Sequence, residues 1–389
     1  MGFVYSKEDF NKVIEALKEN YRIYAPVLKV GEGRFRDTDV IRYDFIDRIE
    51  DAELETRSDF SFKEILIPLS ETLFFFTENE IKEADYDATP VIVLMRSCDI
   101  HAVKRLDQMY TGNGPNNDWF YERLRDRVKF ALIGCGKACP NSFCVDMGSN
   151  RTDEYAFSID VIDDKVFIDL KDDELAEAFG SADSEAKAVE PRFVTKSEFQ
   201  VTRPEEVPIE LFKDGMWDEY TKRCVNCGRC NFVCPTCTCF TIQDVFYTDT
   251  GKVGERRRVN ASCMVDGYTD VAGGLQFRKK NGERMRFKVL HKVYDFRKRF
   301  GYDMCVGCGR CIAACNFDAI ASKDYHAPQL LNYKMAEYAK AVIDGRPHFH
   351  ISLVQDISPN CDCHPENDAP ILPNIGMFAS KDPLALDQA

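Results

Sequence analysis

Hydrophobic positions change their period several times in the first two hundred residues. After Ser6-Lys7-Glu8-Asp9, which can cap a helix, Phe10, Val13, Ile14 and Leu17 fall on one helical face. YRIYAPVLKV and IRYDFI then alternate apolar and polar residues with the two-residue period of strands. PVIVLM (90–95) and VKFALIG (128–134) are short unbroken apolar runs that read as buried strands, and each leads straight into a cysteine-bearing turn. DEYAFSIDVIDDKVFIDL reads as strand, turn at Asp163-Asp164, and strand; DDELAEAFGSADSEAKAV (172–189) reads as an acidic helix with a Gly-Ser break. EVPIELFKDGMWDEYTKRC is a further helix that delivers a cysteine-rich segment. The pattern predicts an α+β fold: a mixed α/β domain over residues 1–205, a helical cysteine-rich domain over 206–322, and an atypical tail over 323–389, chimeric or truncated.

Composition narrows the class. The 389 residues are 44% hydrophobic and 30% charged, the balance of a soluble globular chain long enough for two or three domains. A net charge of −14 argues against binding nucleic acid or an anionic membrane over the whole surface. No apolar run is long enough to span a bilayer, and MGFVYSKEDF has neither a basic n-region nor an apolar core, so no secretory signal is expected. A cytoplasmic location is the expectation. There, 17 cysteines are kept for metal or redox work rather than for disulfides.

Their spacing is specific. Cys224, Cys227, Cys230 and Cys234-Pro235 form C-x2-C-x2-C-x3-C-P, and Cys305, Cys308, Cys311 and Cys315 repeat it with Asn316 in place of proline. Zinc also favours C-x2-C pairs, but two separated pairs would leave the third and fourth cysteines of each run unexplained. The spacing is that of a ferredoxin-like domain with two [4Fe–4S] clusters, where the fourth cysteine of each run crosses to the other cluster. One cluster then takes Cys224, Cys227, Cys230 and Cys315, and the other Cys305, Cys308, Cys311 and Cys234. Gly228 and Gly309 permit the sharp turns that aim N–H groups at sulfur. Val225, Phe232, Val306, Ile312 and Phe317 can keep water away.

A long insertion separates the motifs, and residues 251–300 hold 14 Lys/Arg against 5 Asp/Glu. Cations there would raise a cluster's potential, dock an acidic partner, or simply face solvent. Other thiols remain. Cys98, Cys135, Cys139 and Cys144 could hold a third iron–sulfur cluster, with Asp99 as an oxygen ligand, and Cys237, Cys239 and Cys263 compete as ligands. Buried free thiols are the alternative. No P-loop, HExxH or GxSxG occurs, GEGRF lacks a third glycine, and His101 and His291 read as structural. The chain shows no substrate site of its own.

RFRDTDVIRY, PLSETLFFF, RSCDIHAVKRLDQMY, CVNCGRCNFVCPTCTCFTIQDV, GERRRVNASCM, DVAGG and CVGCGRC together resemble the iron–sulfur electron-transfer subunit of the anaerobic sulfite reductase, from about residue 5 to about 315. The related β subunit of soluble sulfhydrogenases shares its C-terminal plan. The resemblance implies an electron-transfer subunit, not catalytic alone, with two partners: a flavoprotein reductase subunit oxidising a nicotinamide cofactor and a sirohaem subunit reducing sulfite to sulfide. The hydrogenase form would instead carry electrons from a nickel site. Cys98, Cys135 and Cys144 match family cysteines, Cys139 less regularly, and Cys237, Cys239 and Cys263 also match. After Cys311 the chain departs: CIAACNFDAI and the residues beyond it resemble an uncharacterised iron–sulfur family. In that tail Cys361, Cys363 and His364 are potential metal ligands.

Overall fold

Strand β1 (Gly2–Ser6) hands over to helix α1 (Lys7–Lys18) at Ser6, whose hydroxyl accepts a hydrogen bond from the Asp9 amide at 3.1 Å. Phe10, Val13, Ile14 and Leu17 are that helix's buried stripe. β2 (Arg22–Lys29) and β3 (Val40–Ile46) pair antiparallel, as do β4 (Ser70–Phe76) and β5 (Ile81–Glu83). All six residues of β6 (Val91–Arg96) are buried. Val91, Val93 and Met95 enter the core on one face of the sheet and Ile92 and Leu94 the core on the other, the division expected of a strand covered on both sides. α2 (Ser97–Tyr110) springs directly from β6, and α3 (Trp119–Arg125) leads to β7 (Val128–Ile133). β8 (Phe157–Ile162) and β9 (Lys165–Leu170) meet at Asp163 and Asp164, both at positive φ (48° and 61°), the backbone a two-residue hairpin needs.

The sequence expectation for residues 172–189 is corrected here. A 3-10 turn at Asp173–Leu175 and α4 (Ala176–Phe179) end at Gly180, whose N–H meets the Ala176 carbonyl at 2.9 Å. β10 (Glu185–Ala186) then pairs with β1. The Phe179 ring, fully buried and packed on Phe10 and Phe157, anchors the segment where helical periodicity does not. The resulting eight-stranded sheet has the order β10-β1-β9-β8-β7-β6-β2-β3, with β2, β6, β7 and β8 parallel.

The rest of the first unit serves the cysteines. α5 (Met216–Arg223) and α6 (Arg229–Phe232) flank the first motif. β11 (Phe240–Phe246) and β12 (Gly254–Asn260), from the insertion, join a second sheet in the order β11-β12-β4-β5, so β12 pairs with a strand some 180 residues earlier. Buried Arg258 on β12 anchors that join through bonds to Glu71 (2.9 Å) and Asp118 (2.7 Å). A small β13 (Asp270–Val271) and β14 (Leu275–Gln276) pair precedes α7 (Asn281–Leu290). A π-helical turn at His291–Asp295 connects α7 to α8 (Phe296–Phe300), and α9 (Arg310–Ala313) lies in the second motif.

The computed structural model describes residues 1–33, 38–315, 319–320, 327–355, 357 and 372–387. Contacts divide the chain into units Met1–Ala321 and Ser322–Ala389. The second unit holds α10 (Ala327–Ile343), an antiparallel pair β15 (His350–Val354) and β16 (Gly376–Ser380), and α11 (Pro383–Asp387). Cys361, Cys363 and His364 lie outside the described residues, as do Asn316 and Phe317. Among the described residues no helix is long and apolar enough to cross a membrane.

Candidate iron–sulfur centres

After Cys224 the chain turns tightly enough to take left-handed backbone twice, at Asn226 (φ 64°) and Gly228 (φ 71°). The second motif repeats this at the same offsets, with Gly307 at 63° and Gly309 at 76°. Cys227 and Cys308 each sit between the left-handed pair, a curl that turns successive N–H groups toward an anion. The Gly307 amide donates to the Cys305 sulfur at 3.4 Å. At the entry to this motif the Lys292 carbonyl, in the π-helical turn, accepts from the amides of Met304 (2.8 Å) and Cys305 (3.2 Å).

Gly307 and Gly309 are also sites of close approach. A Cβ at Gly309 would stand 2.3 Å from the Asn141 carbonyl oxygen, and one at Gly307 would stand 2.6 Å from the Phe143 carbonyl. The Phe143 amide bonds the Gly307 carbonyl at 2.8 Å. Gly309→Ala should therefore cost at least about 1–2 kcal/mol for the left-handed backbone alone, and more through the displaced 139–144 loop. A lowered melting temperature checks this; an unchanged one would show that neither the backbone nor the loop is strained by the added methyl.

The structure gathers the thiols into groups. Cys224, Cys227, Cys230 and Cys315 line one cavity of about 270 Å³, closed by Met264, Met285, Ala314 and Ile320. Room for a cube, four sulfur donors and an apolar wall make a fitting [4Fe–4S] site. Cys227 and Val225 are exposed there, so Val225 does not seal the site as expected. Cys234 is an electrostatic neighbour of Cys305, Cys308 and Cys311, forming the second quartet. This quartet has Cys308 and Val306 buried and Cys234, Cys305 and Cys311 half-buried, and burial pushes the Cys305 thiol up to about 11 and the Cys308 and Cys311 thiols up as well. Among the described residues no three His, Cys, Asp or Glu side chains close around a point suited to one metal ion.

Cys98 and Cys135 stand just beyond the C-terminal ends of the adjacent parallel strands β6 and β7, the edge where such sheets collect their functional loops. With Cys139 and Cys144 they line a narrower void of about 20 Å³, and Cys308 of the second quartet shares its wall. Buried Arg96 donates to the Cys135 sulfur at 3.5 Å while its other amino group holds the carbonyls of Leu54 and Glu55. Asp99, weighed as an oxygen ligand, is engaged elsewhere. Its carboxylate takes both arms of Arg310 at 2.6 and 2.8 Å, and Arg310 also bonds the Ser58 carbonyl and hydroxyl, each at 2.9 Å. Cys237 is hydrogen-bonded to Cys234 and draws that thiol's pKa down. Cys239 and Cys263 form another pair, with Asn231 donating to the Cys263 sulfur at 3.1 Å; the Cys263 contact lowers Cys239 to about 6.

Sequence reasoning missed three buried lysines. Lys63 donates to the carbonyls of Asn231 (3.0 Å) and Cys237 (3.3 Å), Lys292 donates to Thr236 Oγ1 (2.7 Å), and Lys288 faces Cys230, Cys237, Cys311 and Cys234. Burial lowers the Lys63 ammonium; for Lys288 and Lys292 burial pulls the same way, but the facing thiols outweigh it and raise both. A signal existed: Met285, Lys288, Lys292 and Phe296 recur at core-facing helical spacing, so the lysines occupy apolar positions. Elsewhere the basic excess pairs locally, Arg256 with Asp244 and Arg284 with Asp266. His101 is held by the Arg151 carbonyl at 2.7 Å and His291 stacks on Phe287.

A model of a 4Fe-4S dicluster domain matches residues 223–319, and one of a domain of unknown function (DUF362) matches residues 279–389. Sulfhydrogenase 2 subunit beta of Pyrococcus furiosus is 30% identical over 332 residues, covering 79% of this chain and 92% of the relative. The chain belongs to the sulfhydrogenase β-subunit family. It is an iron–sulfur electron-transfer protein, and its mixed helix-and-sheet fold carries the 4Fe-4S dicluster domain in the C-terminal half. The second match covers the tail beyond the extent of the sulfite reductase resemblance and overlaps the dicluster region at 279–319, the stretch that contains CVGCGRC. No solved structure matches the chain.

Proposed function

We propose that this chain is the electron-relaying subunit of a hydrogenase-type complex, with residues 206–322 as the cluster-bearing domain. It would assemble with a flavoprotein and a nickel-bearing hydrogenase subunit. The observation that carries the reading is the cavity walled by Cys224, Cys227, Cys230 and Cys315, set in a chain whose sulfhydrogenase relative aligns over 92% of its own length. Each bound cluster would supply one-electron transfer. The chain's own part is to hold eight thiols in two quartets, Cys224, Cys227, Cys230, Cys315 and Cys305, Cys308, Cys311, Cys234, one opening at the exposed Cys227 and the other centred on the buried Cys308. The motifs from RFRDTDVIRY to CVGCGRC support a second reading, in which the same relay serves a sirohaem sulfite reductase. Isolation of the native complex decides between them: nickel in the pull-down supports the first, and sirohaem absorption in its place overturns it.

The same reading extends to Cys98, Cys135, Cys139 and Cys144, which would hold a third cluster against Cys308 and prolong the relay toward β6 and β7. Four sulfur donors and the buried Arg96 cation suit an anionic cluster, for which the void of about 20 Å³ would have to widen. Anaerobic reconstitution should give about twelve iron atoms per chain, falling to about eight in Cys135→Ala. A parent value of about eight would assign these four cysteines to packing.

A further inference from the structure

A lysine buried without a counter-charge is unfavourable, because its ammonium gives up its hydration for nothing. Lys63, Lys288 and Lys292 are all buried, and among the described residues none of them pairs with a carboxylate. All three crowd the thiols around Cys234 and Cys237. Two have hydrogen bonds that explain their placement: Lys63 ties two carbonyls and Lys292 ties Thr236. Lys288 differs. Its Nζ is buried and has no hydrogen-bond partner among the described residues.

The position of Lys288 suggests its use. It stands on α7 one helical turn after Met285, which walls the first cavity, and its charge faces Cys230 of the first quartet and Cys234 and Cys311 of the second, so it acts on both sites. Four thiolates around a cubane core of charge +2 or +1 leave a net charge of about −2 or −3. Two such groups placed close together repel, and an electron on one opposes the arrival of an electron on the other. We propose that Lys288 is the counter-charge shared by both dicluster sites, easing the reduction of each and damping the repulsion between them. This rests on the dicluster reading. Because the ammonium makes no hydrogen bond, replacing it removes charge and leaves the surrounding polar network intact.

The test is an EPR-monitored redox titration of the full-length reconstituted chain and its variants. In Lys288→Met both midpoints should fall by at least 59 mV, a tenfold change in each one-electron equilibrium, and the gap between them should widen. Lys288→Arg keeps the charge and should stay within threefold of the parent. If Lys288→Met loses iron, Lys288→Gln supplies the same comparison with a polar neutral side chain. Midpoints unmoved in the neutral variants, or an equal fall in Lys288→Arg, overturn the proposal. A parent chain with no paired [4Fe–4S]+ signals defeats the dicluster reading itself; a parent with both signals and insensitive variants defeats only the role of Lys288.

Discussion

Asp99→Ala should strongly destabilise the fold. Arg310 and Asp99 are 1% and 0% exposed at the side chain, and the carboxylate is the guanidinium's only ion-pair partner among the described residues. Removing it strands a buried charge, which costs about 3–5 kcal/mol against a typical total stability of about 5–15 kcal/mol. The pair also joins two regions of chemistry, since Asp99 follows Cys98 and Arg310 precedes Cys311. The discriminating experiment is the double variant Asp99→Leu/Arg310→Met. If the stranded charge is the cause, replacing both partners by apolar groups should recover much of the loss, because an ion pair this deep gains little net stability over hydrophobic packing. Thermal or denaturant melts of the three proteins read this out. An Asp99→Ala chain within about 1 kcal/mol of the parent would mean that water reaches Arg310.

Cys315→Ala should remove one cluster, and the identity of the lost cluster tests the crossed assignment. Cys315 lines the cavity of Cys224, Cys227 and Cys230 although it follows Cys311 by only four residues. Iron should fall from about eight atoms to about four in the dicluster sites, and the surviving EPR signal should be the one that survives Cys227→Ala. Cys234→Ala should instead reproduce the signal left by Cys308→Ala. An exchange of these two matches would place each fourth cysteine with its own motif.

Much of the frame can be read from local pattern. The unbroken runs of β6 and β7, the stripe of α1 and the turn at Asp163-Asp164 are each set by neighbours a few residues apart. The eight motif cysteines are legible for the same reason, since short gaps force the curl that brings three thiols together. Pairings over long distance are not legible. Nothing local to SETLFFF announces β12 as its partner, and nothing near Asp99 announces Arg310, 211 residues away. Acidic residues at 172–189 suggest a helix until the Phe179 ring finds its pocket. Counting charges in 251–300 likewise cannot separate an arginine on a surface strand from a lysine sealed among sulfurs.

The pairing of β4 with β12 bears on how the chain is made. As a ribosome releases it from the N-terminus, β4 emerges long before its partner, leaving a strand edge rich in phenylalanine open to other nascent chains. Cys224 to Cys239 also emerge before β12 closes that sheet and before Cys315 reaches the first cavity. A first quartet that needs Cys315 is therefore complete only after β12 has been made, so the partner strand of β4 is available before that site can close around a cofactor.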